Sequence, residues 1–536
     1  MKKHGDIRDL NRRREHVSKL QDLPSWKKSR QLPAPNATWP TCLIIGPSSV
    51  VHNWEREFQT WGYFEVGIYT GTPSEREEVL DDFKMGRLDV VLTSFDVARR
   101  DIALLDDLAW SLIIVDEVHR VKNPRAKITE AYNQFLPEAI RFGLTGTAIQ
   151  NAYTELWTIL NWCVPGRIGT MNQWKGYIAN PLVIGQSAGA TQEERAKAAV
   201  VAATLKEKLL PKYFKRRTKD LIKHQLPKKT DEVIFCPLTP KQVEVYKRIL
   251  GLDEVQRLTR KDEICDCGSQ KQRKSCCHPY GKGDLFKYMT TLIKVSNHLA
   301  LILPSPKDSP EQTARNRELS AMAFPDGNAP KYGPAILQPQ FCGKWVVLEG
   351  LLSEWSRDRT NKVLIFTKTT KLLDMLDFHL SSQSHGFVRL DGSTKQSDRM
   401  PMIDKFNQDP TIFVFLISTL AGGTGLNLTG ANKVVVFDPN WNPAHDLQAM
   451  DRAYRFGQTR DVAVYRLLGA GSIEELIYAR QVYKQQQMKI GYEASVQTRY
   501  FKGVQNDKSR QGELFGIQNI FKLHENTLAT KMAVRS

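Results

Sequence analysis

Short apolar runs recur along the chain, each followed by a longer mixed stretch. In the first half they are Leu43-Ile44-Ile45, Val90-Val91-Leu92 and Leu112-Ile113-Ile114-Val115. In the second half they are Val363-Leu364-Ile365-Phe366, Ile412 to Ile417, Val434-Val435-Val436-Phe437 and Val462-Ala463-Val464-Tyr465. Continuous runs without in–out alternation predict strands covered on both faces, and their alternation with helical stretches predicts parallel sheets. Two clusters of runs predict an α/β chain of two lobes. The changes in pattern set the expected boundaries: a basic, Pro-containing arm over 1–40, a first lobe over 41–190, a helical insert over 191–340, a second lobe over 341–470, and a helical brace and tail over 471–536. No apolar run reaches the roughly 18–20 residues of a membrane span, so no membrane partner is expected.

The formal net charge of +18 over 536 residues points to a polyanionic partner such as nucleic acid. The basic N-terminus has no apolar core behind it and is not a secretory signal. Cys265, Cys267, Cys276 and Cys277 form a C-x-C-x₈-C-C run, and the other cysteines are scattered. That pattern suits reduced thiols and one tetrahedral zinc rather than a disulfide framework, which places the protein inside the cell, in the nucleus. The four thiols are the expected ligands, with His278 the alternate fourth. Lys271, Arg273 and Lys274 between the pairs are cations for DNA phosphates, or a merely solvated face.

Three further features carry chemistry. Leu112–Val115 runs into Asp116 and Glu117, which puts two carboxylates at the carboxyl edge of a parallel sheet, where an Asp can hold Mg²⁺ and a Glu can polarise water. Ser418 to Asn427 is a Gly-rich turn after a strand, able to offer backbone N–H groups to phosphates. Arg452 and Arg455, three apart, share one helix face and can neutralise charge on a transferring phosphoryl group. Each feature alone has an ordinary structural reading.

Their order is more specific. Asp-Glu-Val-His (116–119), Leu-Thr-Gly-Thr-Ala-Ile-Gln-Asn (144–151), Arg-Leu-Asp-Gly-Ser-Thr (389–394), Ser-Thr-Leu-Ala-Gly-Gly-Thr-Gly-Leu-Asn-Leu (418–428) and Gln-Ala-Met-Asp-Arg-Ala-Tyr-Arg-Phe-Gly-Gln (448–458) closely resemble the motif series of the Swi/Snf-type helicase-like ATPases. Ile45 through Trp54 resembles that family's next motif upstream, and the likeness covers about residues 41–490. Arg120 to Pro124, the cysteine run and Gln511 to Gly516 resemble the excision-repair ERCC-six-like branch called Hebo, related to the Cockayne syndrome B and Rad26 proteins. The cysteine run also resembles the small zinc-binding SEC-C motif.

The resemblance implies two RecA-like lobes with a helical inter-lobe insert and a small zinc knuckle. It implies an ATP- and Mg-dependent motor on double-stranded DNA, with chromatin remodelling or DNA repair as its setting. Asp116 would hold Mg²⁺, Glu117 would activate water, and Arg452 and Arg455 would be arginine fingers. Gln448, Gly425, Thr145 and Thr147 would bind the nucleotide or couple it to DNA. Pro47, Ser94, Asn123, Thr419, Gly423 and Trp441 would lie along the DNA track. Tyr454-Arg455-Phe456 stands where the family usually has His-Arg-Ile. An RNA helicase is the enzyme alternative, disfavoured by the large insert and by Asp438 to Pro443.

One part is missing. A P-loop, G-x-x-x-x-G-K-[ST], cradles the β/γ phosphates, and none occurs in these residues. Gly281-Lys282 and Gly343-Lys344 are followed by Gly and Trp. The chain is therefore expected to start late relative to a complete ATPase and to be inactive alone. A naturally ATPase-dead module binding DNA or chromatin is the alternative.

Overall fold

The apolar runs of the first half all become strands of one parallel sheet. In this computed structural model, residues 41–493 and 517–525 are described, apart from 63, 109, 125, 134–138, 147–151, 186–188, 282 and 423–425. Strands β1 (Cys42–Gly46), β2 (Val66–Tyr69), β3 (Val90–Ser94), β4 (Leu112–Asp116) and β5 (Ile140–Leu144) lie in the order β2-β3-β1-β4-β5. Every residue of β1 is buried because the strand is covered twice. Cys42 and Ile44 face Val51, Trp54 and Phe58 of helix α1 (Val51–Trp61). Leu43 and Ile45 share the opposite core with Leu156, Ile159 and Trp162 of helix α2 (Tyr153–Cys163). Each such aliphatic side chain contributes roughly 1.5–3 kcal/mol by leaving water.

β5 is the exception. It is an edge strand, and its alternate residues Ile140, Phe142 and Leu144 are 63%, 55% and 42% exposed. Arg141 points the other way, buried, with its guanidinium 5.6 Å from the Trp162 ring. One face of the β5 edge is therefore apolar and uncovered among the described residues.

The second sheet is also all parallel. It contains β6 (Lys229–Cys236), β7 (Val363–Thr367), β8 (Phe387–Leu390), β9 (Val414–Ser418), β10 (Lys433–Val436) and β11 (Val462–Gly469), in the order β6-β11-β10-β7-β9-β8. β6 corrects the expectation of a wholly helical insert over 191–340. Its sequence, KTDEVIFC, mixes charge with apolar residues as an edge strand does, and so lacks the continuous run that marked β1, β3, β4, β7, β9, β10 and β11; the other edge strands β2, β5 and β8 lack one too. It pairs with β11 along its whole length.

The insert divides between the lobes. Helix α3 (Gln192–Thr204) leads to Leu205 and Leu210, which join the core of the first lobe. Helices α4 (Pro240–Gly251), α5 (Asp253–Thr259) and α6 (Asp284–Asn297) share one core with helix α7 (Gly343–Ser356) of the second lobe. Helices α8 (Pro443–Met450), α9 (Ile473–Glu493) and α10 (Ile517–Ile520) complete the elements used below. Among the described residues no helix is long and apolar enough to cross a membrane.

A buried ion pair joins these parts. Lys344 of α7 and Glu474 of α9 are 1% and 0% exposed and 2.6 Å apart. The same ammonium donates to Asn297 Oδ1 at 3.0 Å and to the Phe437 carbonyl at 2.7 Å. Insert, lobe and brace thus meet at one charge.

Candidate active site

β4 delivers Asp116 to the carboxyl edge of the first sheet, and the chain turns sharply there. Glu117 has φ 51° and ψ 45°, a left-handed conformation that is uncommon for a residue with a side chain and is strained outside special sites. Val118 and Val121, both fully buried, pin the turn beneath it. A Cβ on Gly143 of β5 would sit 2.7 Å from Val118 Cγ1, so only glycine lets that strand pass under the turn.

The two carboxylates have different surroundings. Asp116 accepts from the Trp54 indole N–H at 3.1 Å and from the Glu117 backbone N–H at 2.8 Å. Burial pushes the Asp116 carboxyl upward, the indole opposes it, the charge of Glu117 adds to it, and the net shift is up. Burial also pushes Glu117 up, but His119, the charge of Arg452 and the Gln448 amide outweigh it, so its net shift is down. His119 Nδ1 lies 3.1 Å from Glu117 Oε2 and 3.0 Å from Thr145 Oγ1. Thr145 is thereby connected to Glu117 through one imidazole.

The second lobe supplies the opposite wall. Asn442 caps α8 by accepting from the Ala444 N–H at 3.2 Å. From α8 the Gln448 amide donates to Glu117 Oε1 at 2.6 Å, across the cleft. Arg452, just past the helix, is 2% exposed, and burial together with repulsion from Arg455 pulls its guanidinium down to about 9. It stays protonated at neutral pH and faces both carboxylates. Arg455 is also shifted down by burial, and its Nε–H donates to the Asp451 carbonyl at 3.2 Å. A cavity of about 1010 Å³ is bounded by Trp54, Asp116, Glu117, Gln448, Arg452 and Arg455. Two carboxylates from one lobe and an amide and two guanidiniums from the other therefore converge on one space.

Three members of this wall escaped the sequence reading. Trp54 and His119 lay inside quoted motifs without a role. Lys219 comes from the segment between the sheets, where its ammonium is 2.9 Å from Asp451 Oδ1 and donates to the Tyr454 carbonyl at 2.7 Å. Nothing in its local sequence marks it.

The residues expected along the DNA track lie at the strand ends. Pro47 and Ser94 adjoin one another through the Gly46–Ser94 register, and both are buried. The Ser94 hydroxyl accepts from the Val97 N–H at 3.4 Å and so caps the helix that follows. Asn123 is exposed beyond the Glu117 turn, and Thr419 is buried at the end of β9. Trp441 is half-buried, with the Arg480 guanidinium 5.6 Å from its ring. Ser94 and Thr419 shape their edges more than they display a hydroxyl. Thr147, Gly423 and Gly425 fall outside the described residues.

The four cysteines come together as the spacing anticipates, with all sulfurs within 4.8 Å of one another. Cys276 Sγ is 3.3 Å from Cys267 Sγ and 3.6 Å from Cys277 Sγ. Tetrahedral zinc with ~2.3 Å Zn–S bonds needs sulfurs ~3.8 Å apart, so this donor set fits after small adjustments. Gly268, at φ +81°, makes the turn between the pairs, and His278 is outside the cluster. The Ser269 hydroxyl and backbone N–H help pull the Cys267 thiol down to about 6, while the neighbouring sulfurs push Cys277 up to about 12. Arg273 and Lys274 are engaged in ion pairs with Asp266 and Asp262 at 2.5 and 2.7 Å, which leaves Lys271 as the solvent-facing cation of the three.

The profile of the SNF2-related domain matches residues 9–301, and that of the helicase conserved C-terminal domain matches residues 343–457. Switch 2 of Arabidopsis thaliana is 41% identical over 90% of this chain and 59% of its own length. DNA excision repair protein ERCC-6-like 2 of Mus musculus is 40% identical, over 92% of this chain and 33% of its own length. DNA excision repair protein ERCC-6 of Homo sapiens is 34% identical, over 83% of this chain and 28% of its own length. The chain spans 59% or less of each of these relatives.

Proposed function

The chain belongs to the SNF2-related family, and from that premise we propose that it is motor machinery of an ATP-dependent translocase on double-stranded DNA. DNA repair is the setting this reading favours, given the names that two of these relatives carry, with chromatin remodelling in the nucleus as the other setting. The observation that carries the proposal is the cleft. Asp116 and Glu117 of one lobe face Gln448, Arg452 and Arg455 of the other around one cavity. Such an arrangement is complete only when the lobes are together, which makes nucleotide chemistry and lobe movement one event. Asp116 would hold Mg²⁺, which when bound neutralises phosphate charge. Glu117 would orient and polarise water, and the two arginines would meet charge developing on the phosphoryl group. The net charge of +18 supports a backbone-directed, sequence-independent grip on DNA.

Without a P-loop pattern in its sequence, this chain is proposed to turn over ATP weakly as it stands. The test is ATP hydrolysis by the full chain with duplex DNA, single-stranded DNA or RNA as stimulant, alongside Glu117→Gln. Weak, duplex-specific stimulation that is lost in Glu117→Gln is expected, and robust turnover lost in Glu117→Gln would keep the motor reading but overturn the proposed weakness. Duplex binding without hydrolysis would fit the binding-module alternative. Stimulation by RNA alone would sink the DNA assignment.

The cysteine cluster is proposed to hold one structural zinc through Cys265, Cys267, Cys276 and Cys277. Purified protein is expected to carry about one zinc per chain, lost in Cys267→Ser/Cys276→Ser. Protein free of zinc whose melting is indifferent to chelator would end this assignment.

A further inference from the structure

Residues 517–525 return to the molecule at a defined place. α10 packs against α5, and Phe521 is 7% exposed in the same apolar cluster as Val255, Leu258 and Ile473. Ile520 and Leu523 pack at its margin. The His524 backbone N–H donates to the Gly471 carbonyl at 2.9 Å, and Glu525 pairs with Lys247 at 2.8 Å. Gly471 is required there twice over. Its φ of +70° is a glycine conformation, and a Cβ would collide with the His524 carbonyl.

The turn at Gly471 launches α9 from β11. Gly469 N–H donates to Glu474 Oε2 at 2.8 Å, Gly471 N–H to Glu475 Oε1 at 2.6 Å, and Ile473 N–H to the Tyr246 hydroxyl at 3.1 Å. The turn is thus held by the insert through Tyr246, by the second lobe through Lys344 and Glu474, and by the tail through His524. α9 then reaches α8, where the Gln481 amide donates to Asp446 Oδ2 at 2.6 Å. Gln448 stands on that same α8.

We propose that residues 517–525 are an intramolecular docking strap, and that occupancy of its seat on α5 and the Gly471 turn governs how firmly α9, and through it α8, is held on the second lobe. One buried aromatic anchor flanked by two half-buried aliphatic side chains, plus backbone hydrogen bonding at the turn, is enough to seat a short segment. A strap seated on a launching turn changes local opening without being needed for the sheet.

Hydrogen exchange on the full chain tests this. In Phe521→Ala, amides of 519–525 and of the first turns of α9 are expected to exchange at least about tenfold faster, with β7 and β9 unchanged. Phe521→Leu is expected to stay near wild type. A synthetic peptide of residues 515–527 in excess should slow the α9 amides of Phe521→Ala again, and the peptide with Ala in place of Phe521 should not. The proposal is overturned if 519–525 exchange freely in the unmodified chain, if α9 keeps its protection when 519–525 lose theirs, or if β7 and β9 accelerate equally. The last result would make Phe521 an ordinary core residue.

Discussion

Replacing Lys344 by Met removes a charge while keeping most of the side-chain volume. The cavity term is therefore small and the cost is electrostatic. Glu474, fully buried, would keep the Gly469 N–H at 2.8 Å and the Asn297 amide at 2.8 Å, but no cation. Breaking a buried pair by removing one partner costs about 3–5 kcal/mol, whereas removing both charges is often near neutral. Lys344→Met is thus expected to lose about 3–5 kcal/mol, and Lys344→Met/Glu474→Gln to recover most of it, so the double variant should be far more stable than the two single losses added together. Burial already raises the Glu474 carboxyl, with Lys344 opposing. Without Lys344 it rises further. A carboxyl whose folded pKa lies above its unfolded value loses stability as pH rises through that interval. The deficit of Lys344→Met should therefore grow as the pH rises above the ordinary carboxylate range. Urea unfolding followed by tryptophan fluorescence is the assay, since Trp345 adjoins Lys344 in the second lobe's core. A loss below about 1 kcal/mol, or a double variant as unstable as the sum of the singles, would refute the argument.

Three other outcomes follow from the same geometry. Gln448→Glu sets a second carboxylate against Glu117, a repulsion of roughly 4 kcal/mol at ~4 Å and an effective dielectric of ~20. The lobes should separate at neutral pH and reclose toward about pH 5, and an inter-lobe distance by energy transfer that ignores both pH and the substitution would contradict this. Asp446 is buried and its carboxyl is raised, by burial first, to about 6. Its folded pKa exceeds the unfolded one, so wild type should lose up to about 3 kcal/mol between about pH 4 and 6 relative to Asp446→Asn, and parallel stability–pH curves for the two proteins would disprove the assignment. The uncovered apolar side chains of β5 should drive self-association, so Phe142→Glu is expected to lower the sedimenting oligomer fraction with little change in melting temperature.

The strands were legible because burial on both faces leaves a purely local trace. Leu43–Ile45 and Leu112–Val115 need no partner to be recognised, and neither does the cysteine run, whose ligand spacing is short. The carboxylate pair and the arginine pair were each legible as residue types in a pattern. β2, β5, β6 and β8, the four edge strands, were not, since an edge strand lacks the continuous apolar run of a strand buried on both faces. What only the tertiary structure decided is which distant pieces share a space. Glu117 meets Gln448 from 331 residues away, Lys344 meets Glu474 from 130, and Trp54 caps Asp116 from 62. Such meetings are set by strand order and by the approach of two sheets. A sequence alone determines the local period of its elements; the sheets must close before the charges find each other.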